Sequence, residues 1–171
     1  LWYGGLFFQS FFLHRYAAHQ VFTMSKFTER ITFILTWIFQ GSSYLSAYGY
    51  GIMHRMHHAY TDTEKDPHSP SFDAFASSRF SRLLWITFYV LFFAYFTTAL
   101  WQWILLPVAL LMAPIHGVII NWFGHIYGYV NFKMKNTSKN LFHFDFLMMG
   151  EGYHNNHHKH ATSANFGVKW H

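Results

Sequence analysis

A run of 42 residues without a charged side chain, residues 83–124, constrains the fold of this chain more than any other feature. One bilayer-spanning helix needs about 20 consecutive apolar residues, so the run has the length of two spans. Thr, Trp and Gln at residues 97–102 suit a membrane–water interface and predict a tight turn there. Pro107 falls near the start of the second span, whereas Pro114 lies inside it and is expected to kink it. The run therefore predicts a transmembrane hairpin.

Composition also favours a membrane protein. Charged residues make up 11% of the chain and aromatic residues 23%, whereas soluble domains carry about 25% charged residues. The net charge of +5 comes from scattered basic residues, which argues against nucleic acid and favours anionic lipid headgroups or a phosphate-bearing substrate. The absence of cysteine excludes disulfides, thiolate zinc sites and iron–sulfur clusters. Residues 1–13 look like the end of a further span, so we expect a fragment that lacks an N-terminal span.

Topology predicts on which side of the membrane the polar segments lie. A hairpin returns the chain to the side it left, and all 12 Lys and Arg residues lie outside residues 83–124. The positive-inside rule makes that side cytoplasmic. Residues 31–39 are apolar but too few to span, which suggests an in-plane or re-entrant helix. The expected fold is an all-α integral membrane helical bundle with a cytosolic histidine-rich cap, residues 14–82 and 125–171.

Histidines form three tight clusters at the borders of the apolar segments. Neutral imidazole is a good ligand for iron, zinc or copper. A solvated polar helix or a chance tract would explain one cluster, but three indicate a site for more than one metal ion at a membrane surface. The clusters contain His14, His19, His54, His57, His58, His154, His157 and His158.

The spacing inside the second and third clusters is that of one helix face. Positions i, i+3 and i+4 lie together on a helix, so each cluster can offer two or three nitrogens to a metal pair. His14 and His19 are five residues apart, about 140° of rotation, and share a face poorly in a regular helix. We therefore expect the helix to end or loosen near Ala17 and Ala18, so that His19 can turn inward.

Asn121 and His125 close the second span on a shared helix face. His125 is a plausible ninth ligand and Asn121 could hold a metal-bound water, although polar residues that cap a span would show the same spacing. His116 lies about 180° round the helix from His125, so we assign it a packing role. The remaining histidines have no partner spacing and are not predicted as ligands: His68, His143, His160 and His171.

Carboxylates near the clusters are candidates to accept the outer N–H groups of the histidines and orient the rings. Five lie close in sequence, and Asp66, Asp145 and Glu151 are the residues that we predict for this role. The other two, Asp62 and Glu64, lie with Asp66 in a polar run that would also suit a solvated loop. Arg15 and Arg55 sit inside the clusters and could pair with these acids or meet a substrate phosphate.

These motifs resemble the three histidine boxes of the membrane fatty acyl desaturases. The boxes HRYAAH at residues 14–19, HRMHH at 54–58 and HNNHH at 154–158 occur in that family's order. The segments NWFGHIYG at residues 121–128, GEGYHNNHH at 150–158 and ANFG at 164–167 are also very similar to the family. The resemblance is closest to the bacterial acyl-CoA or acyl-lipid delta-9 type and to stearoyl-CoA desaturase. It covers nearly all of the chain as a single, partial domain.

The resemblance implies an oxidoreductase with a di-iron centre that uses O₂ as co-substrate in fatty acid biosynthesis. It implies nine histidine ligands, His125 included, with a water held by Asn121. An acyl chain, carried by CoA or by a lipid, would lie in a bent tunnel and lose two hydrogens to leave a cis double bond. Electrons would come from a ferredoxin, or from cytochrome b5 with its reductase, and the oxygen would leave as water.

Two other functions remain open from the sequence. A di-iron lipid hydroxylase or alkane monooxygenase uses similar boxes and differs only in its product. A histidine-rich membrane metal transporter would place its histidines along a path through the spans. In this chain only His116 is mid-span, and this favours an enzyme.

Overall fold

A computed structural model describes residues 1–40, 47–67 and 79–168, without the side chains of residues 79, 81, 82, 113 and 114. His68 and His171, predicted to have no ligand role, lie outside the described residues. The described part of the chain contains no β-strand, only isolated bridges at residues 129, 140 and 153, which confirms the all-α class. Its helices are α1 (Trp2–Phe8), a first π-helix (Gln9–Ala18), α2 (Lys26–Gln40), α3 (Ala47–Tyr60), α4 (Arg79–Phe96), a 3-10 helix (Leu100–Ile104), α5 (Leu105–Val118), a second π-helix (Ile119–Phe123), α6 (Gly124–Ile126) and α7 (His154–Lys159).

The first π-helix and α3 pack closely along their length. Phe12, Leu13 and Ala18 of the π-helix form a buried cluster with Tyr50 of α3. Gly51 permits this approach, because a Cβ at that position would lie 2.8 Å from the carbonyl oxygen of Ala17. The two helices that carry the first and second histidine boxes are therefore held side by side.

Aromatic side chains join α4 to α2 and α5. Trp85, Tyr89 and Phe93 form a buried row on α4, against which Trp37 and Trp103 pack. The indole N–H of Trp85 and the hydroxyl of Tyr89 both donate to the carbonyl oxygen of Ile38, at 2.9 and 3.1 Å. These bonds satisfy the polar ends of two large rings at a helix contact that is otherwise apolar.

The chain turns between α4 and the 3-10 helix, inside the segment where the sequence places a turn. α4 ends at Phe96, and the backbone N–H groups of Thr98 and Ala99 donate to the Oε1 atom of Gln102 at 2.6 and 3.0 Å. This side-chain bond supplies partners to N–H groups that a helix start leaves unpaired. The polar Gln102 within the apolar run is thus explained by these two hydrogen bonds, which stabilise the turn.

Within the described residues, none of the individual helices combines the length and the apolar character that a bilayer crossing requires. One bent pair, Leu100–Met112 with Ile115–Ile126, meets that requirement by length and composition, and its halves are inclined by 53°. The bend falls where the sequence predicts a kink at Pro114. The membrane bundle and the span boundaries remain predictions.

The region after α6 is irregular and held by two buried asparagines of the third box. Asn155 accepts the backbone N–H groups of Asn131 and Phe132, at 3.0 and 2.8 Å, and donates to the carbonyl oxygen of Ser138 at 3.0 Å. Asn156 donates to the carbonyl oxygen of Phe166 at 2.9 Å. Because buried backbone groups need partners, these amides allow loop segments to lie against α7.

Candidate metal centre

In the described part of the chain, nine histidine side chains converge from four segments into two adjacent groups. In each group, one ring nitrogen of every member lies within 4.8 Å of those of all the others. The first group contains His14, His19, His54, His58 and His157, and the second contains His57, His125, His154 and His158. These are the nine histidines that the sequence nominates.

The structure divides each of the two HxxHH boxes between the groups. His54 and His58, four residues apart on α3, enter the first group together with His157 of α7. The second group has the reverse composition: His154 and His158, four residues apart on α7, together with His57 of α3. Residues at i and i+4 lie directly above one another, whereas i+3 is displaced to one side. Two facing helices, α3 and α7, therefore supply three histidines to each group.

The first π-helix explains how two histidines five residues apart reach the same group. A π-helix closes hydrogen bonds from residue i to residue i+5, and the N–H of His19 donates to the carbonyl oxygen of His14 at 3.1 Å. The two ring centroids lie 5.0 Å apart. The helix ends at Ala18, as the sequence predicts, but it ends after ten residues of π geometry that the sequence did not predict.

His125 enters the second group from a different part of the fold. Its Nε2 atom lies 3.0 Å from Nε2 of His154. The residue follows the second π-helix, and Asn121 lies inside that helix, half-buried, one turn earlier. The water-mediated role of Asn121 remains a prediction.

The ring nitrogens that face each other lie at distances that ligands of one metal ion adopt. Nδ1 of His14 lies 2.6 Å from a Glu151 oxygen, and a carboxylate can only accept, so in the neutral His14 ring the lone pair is on Nε2. That lone pair faces Nε2 of His157 at 3.0 Å. Imidazole nitrogens about 2.0–2.1 Å from one ion, at right angles, would lie about 3 Å apart. Nε2 of His157 also lies 2.8 Å from Nε2 of His58 and 3.4 Å from Nε2 of His54, and one ring proton cannot serve three such neighbours, whereas one cation between them can bind all of these nitrogens.

The same geometry recurs in the second group. Nδ1 of His57 lies 2.9 Å from both carboxylate oxygens of Asp66, so in the neutral His57 ring the lone pair is again on Nε2. That atom faces Nε2 of His158 at 3.2 Å. Both groups therefore offer converging nitrogen donors, the ligand type that suits divalent iron, zinc or copper.

Burial favours the neutral, metal-binding form of five of the clustered imidazoles. Desolvation, followed by repulsion from neighbouring histidines, lowers the pKa of His19 to about 3. The same two causes, in the same order, hold the pKa values of His54, His154, His157 and His158 well below 6.5. Metal binding to these five rings therefore requires little displacement of protons at neutral pH.

Glu151 is the centre of a buried ion-pair network beside the first group. It accepts from His14, from the Ser10 hydroxyl at 2.5 Å and from the Arg15 guanidinium at 2.8 Å. Burial alone would raise the pKa of Glu151, but His14 and Arg15 lower it to about 2. Arg15 also lies over the ring of Phe166, 4.3 Å from its centroid. Of the two roles left open for Arg15, the geometry supports pairing with an acid.

Arg55 and Asp145 have partners other than those considered from the sequence. Arg55 donates to the carbonyl oxygens of Ala17 and Ala18, at 3.3 and 2.9 Å, and so caps the end of the first π-helix. Asp145 accepts the backbone N–H groups of Met148 and Gly152, at 2.8 and 2.6 Å. These hydrogen bonds are thus to a tight loop before the third box rather than to a histidine ring.

Sequence reasoning considered Asp62 but did not select it, and the structure places it beside His125. Its Oδ1 atom lies 3.4 Å from Nδ1 of His125. Thr137, which no motif marks, lies 3.0 Å from the same nitrogen through its hydroxyl. The signal available in the sequence was the spacing of Asp62 and Asp66, which places both acids in the turn after α3.

The described histidines outside the two groups have ring contacts. His116 packs edge-on against Trp2, with ring centroids 4.3 Å apart, in agreement with the packing role expected for it. His143 stacks on Tyr129 at 4.6 Å, and His160 lies edge-on to Phe132 at 5.0 Å.

Comparison with known proteins links this arrangement to one family. Residues 1–96 match the family model described as fatty acid desaturase. The chain is 30% identical to Delta-9 desaturase-like 2 protein of Arabidopsis thaliana, over 94% of this chain and 64% of that protein. It is 27% identical to Delta-9 acyl-lipid desaturase 1 of the same plant, over 92% of this chain and 61% of that protein.

A cyanobacterial protein shows a similar match. The chain is 29% identical to sn-1 stearoyl-lipid 9-desaturase of Synechocystis sp., over 92% of this chain and 58% of that protein. The chain thus spans less than two thirds of the length of these relatives, 64% for the first of them. No solved structure matches the chain.

Proposed function

This chain belongs to the fatty acid desaturase family, and we propose that it forms the catalytic centre of a di-iron, oxygen-dependent membrane desaturase. The substrate is a fatty acyl chain carried by CoA or by a lipid, and the product carries a cis double bond. Two neighbouring methylenes each lose one hydrogen, an external donor supplies two electrons, two protons are taken up, and O₂ leaves as two water molecules. A ferredoxin, or a cytochrome b5 with its reductase, is the class of donor that fits.

The observation that carries this proposal is the pair of histidine groups. Five imidazoles form one group and four form the other, and their inward nitrogens lie at the mutual distances that ligands of a single ion adopt. Desaturation is an oxidation, so the metal must change its oxidation state; zinc cannot, whereas iron can. When bound, the iron pair would supply the reactivity towards O₂ that side chains lack.

The chain's own contribution is positioning. Glu151 and Asp66 each hold the outer nitrogen of one histidine, and this aims the inner lone pair at the centre. The side chains of the two groups are imidazoles, and the chain contains no cysteine thiol that an oxidant would attack first. Asn121 is proposed to hold a water near the second group.

Exposed apolar side chains support a membrane location. Along α4 and the 3-10 helix, large apolar residues stand open to the surroundings, with Tyr95 83% and Leu100 87% exposed. A helix that is apolar all round needs protein or lipid to cover it. We propose that residues 83–124 form the membrane hairpin and that the histidine groups lie at its cytoplasmic end, among the Lys and Arg residues.

The proposal is tested by expressing the protein with iron in a host whose lipids lack the expected double bond. Fatty acids are profiled by mass spectrometry, with His57→Ala as the inactive control because it removes one ligand of the second group. The expected result is a new monounsaturated species that disappears in the variant. Hydroxylated chains would instead establish a hydroxylase. An unchanged profile from iron-loaded protein with a compatible donor would refute the desaturase and favour metal transport.

A further inference from the structure

The protonation of His125 is not determined by its immediate neighbour. Its Nε2 atom faces Nε2 of His154 at 3.0 Å, so ligation through that atom requires the ring proton to sit on Nδ1. Nδ1 lies 3.0 Å from the hydroxyl oxygen of Thr137. A hydroxyl can either donate or accept. Thr137 alone would therefore allow both tautomers of His125, including the one whose Nε2 carries a proton and cannot bind metal.

Asp62 removes this ambiguity. The Thr137 hydroxyl lies 3.1 and 3.0 Å from the two carboxylate oxygens of Asp62, and the Thr137 backbone N–H donates to Oδ2 at 2.7 Å. A carboxylate only accepts, so the single hydroxyl proton points to Asp62. The Thr137 oxygen is then left to accept, and the hydrogen bond to His125 places the proton on Nδ1.

We propose that Asp62, acting through Thr137, is the positioning residue that holds His125 in its metal-binding tautomer. This inference rests on the proposed function, because it assumes that His125 is a ligand. The loop that carries Asp62 also serves His57: the N–H of Asp62 donates to Asp66 at 3.2 Å, and Asp66 holds the His57 ring. One turn after α3 thus orients two ligands of the same group.

Asp62→Asn tests the relay with little change in shape. Asp62 has a left-handed backbone, φ 64°, which asparagine also tolerates, so the backbone need not change. The amide oxygen of the asparagine can still accept the hydrogen bond from the Thr137 backbone N–H, but its NH₂ group then faces the Thr137 hydroxyl. The hydroxyl is free to turn and donate to Nδ1 of His125, and the ring proton moves to Nε2.

Thr137→Ala makes the opposite change. It removes the closer contact of His125 but leaves the Asp62 carboxylate, 3.4 Å from Nδ1, as an acceptor that favours the correct tautomer. The relay therefore predicts that losing the nearer residue is milder than altering the farther one. Asp62→Ala removes the carboxylate without adding a donor, so it should fall between the two.

The experiment is an anaerobic Fe(II) titration of the detergent-purified protein, with bound iron per chain measured by elemental analysis. Wild type and Thr137→Ala are expected to bind two ions. Asp62→Asn is expected to keep one ion and to bind the second about 10–100-fold more weakly, the usual effect of losing a ligand's outer partner. Glu64→Gln is the matched control, since it makes the same charge change two residues away on an exposed side chain.

Each outcome bears on one claim. If wild type binds two ions and Asp62→Asn binds both as tightly as Glu64→Gln does, the tautomer relay is wrong while the proposed function stands. A larger loss in Thr137→Ala than in Asp62→Asn would also overturn the relay. If wild type itself binds fewer than two ions, the proposed di-iron centre is refuted, and the premise of the relay with it. Circular dichroism of Asp62→Ala and Asp62→Asn separates loss of one ion from loss of the fold.

Discussion

The buried carboxylate of Glu151 should be essential to the stability of the metal-free protein, and Glu151→Gln measures its contribution. Three donors point at its two oxygens: Ser10 and Arg15 at Oε1, and His14 at Oε2. A glutamine can offer its oxygen at only one of these positions, and its NH₂ group must face a donor at the other. Arg15, whose side chain is 13% exposed, would also lose the negative charge with which it pairs.

The expected loss is large because both ions are nearly buried. Removing one partner of a buried ion pair destabilises a protein by about 3–5 kcal/mol, since the remaining charge is left without compensation. For a chain of this size, about 1 kcal/mol shifts the unfolding midpoint by roughly 2–4 °C. Glu151→Gln should therefore lower the midpoint by about 6–20 °C.

Thermal unfolding in detergent with a chelator present is the appropriate assay, because it excludes any contribution from bound metal. Glu64→Gln again serves as the control for the change in charge, and its midpoint should stay near that of wild type. A Glu151→Gln midpoint within about 2 °C of this control would refute the argument. It would mean that the ion pair offers no net stabilisation over a neutral amide.

Two further substitutions probe the loops around α7. Gly128 has φ 112°, and a Cβ there would collide with the carbonyl group of Asn140. Gly128→Ala should therefore lower the unfolding midpoint. Gly117→Ala is the control, because a Cβ at Gly117 meets open space, and it should leave the midpoint unchanged. Asn156→Asp places an acceptor opposite the carbonyl oxygen of Phe166 and should cost about 1–3 kcal/mol of stability in the same assay. Equal midpoints within either comparison would contradict the prediction concerned.

Local patterns in the sequence predicted the elements whose geometry repeats. The turn after Phe96 and the helical boxes on α3 and α7 follow from apolar run length and i, i+3, i+4 spacing. The π-helical geometry before His19 could not be predicted in this way, because a π-helix differs from an α-helix in which backbone groups form hydrogen bonds. Side-chain pattern alone does not distinguish those pairings.

Contacts between distant segments were the other part that sequence could not supply. Asp145 and Glu151 are both acids close to the third box, yet Glu151 meets a ring nitrogen of His14 and Asp145 meets backbone N–H groups. The difference depends on how the loop before α7 folds back. The partnership of Asp62 with Thr137 spans 75 residues and carries no local signal in either segment.

Because each HxxHH box supplies histidines to both groups, an insertion or deletion within one box disturbs both groups at once. One codon added between His54 and His57 would rotate the residues after it by about 100°, and so displace a ligand of each group in a single event. A change of the same kind in α7 would do the same from the opposite side. Spacing mutations thus offer no route from this centre to a working site for one ion, and selection should remove changes in the length of either box.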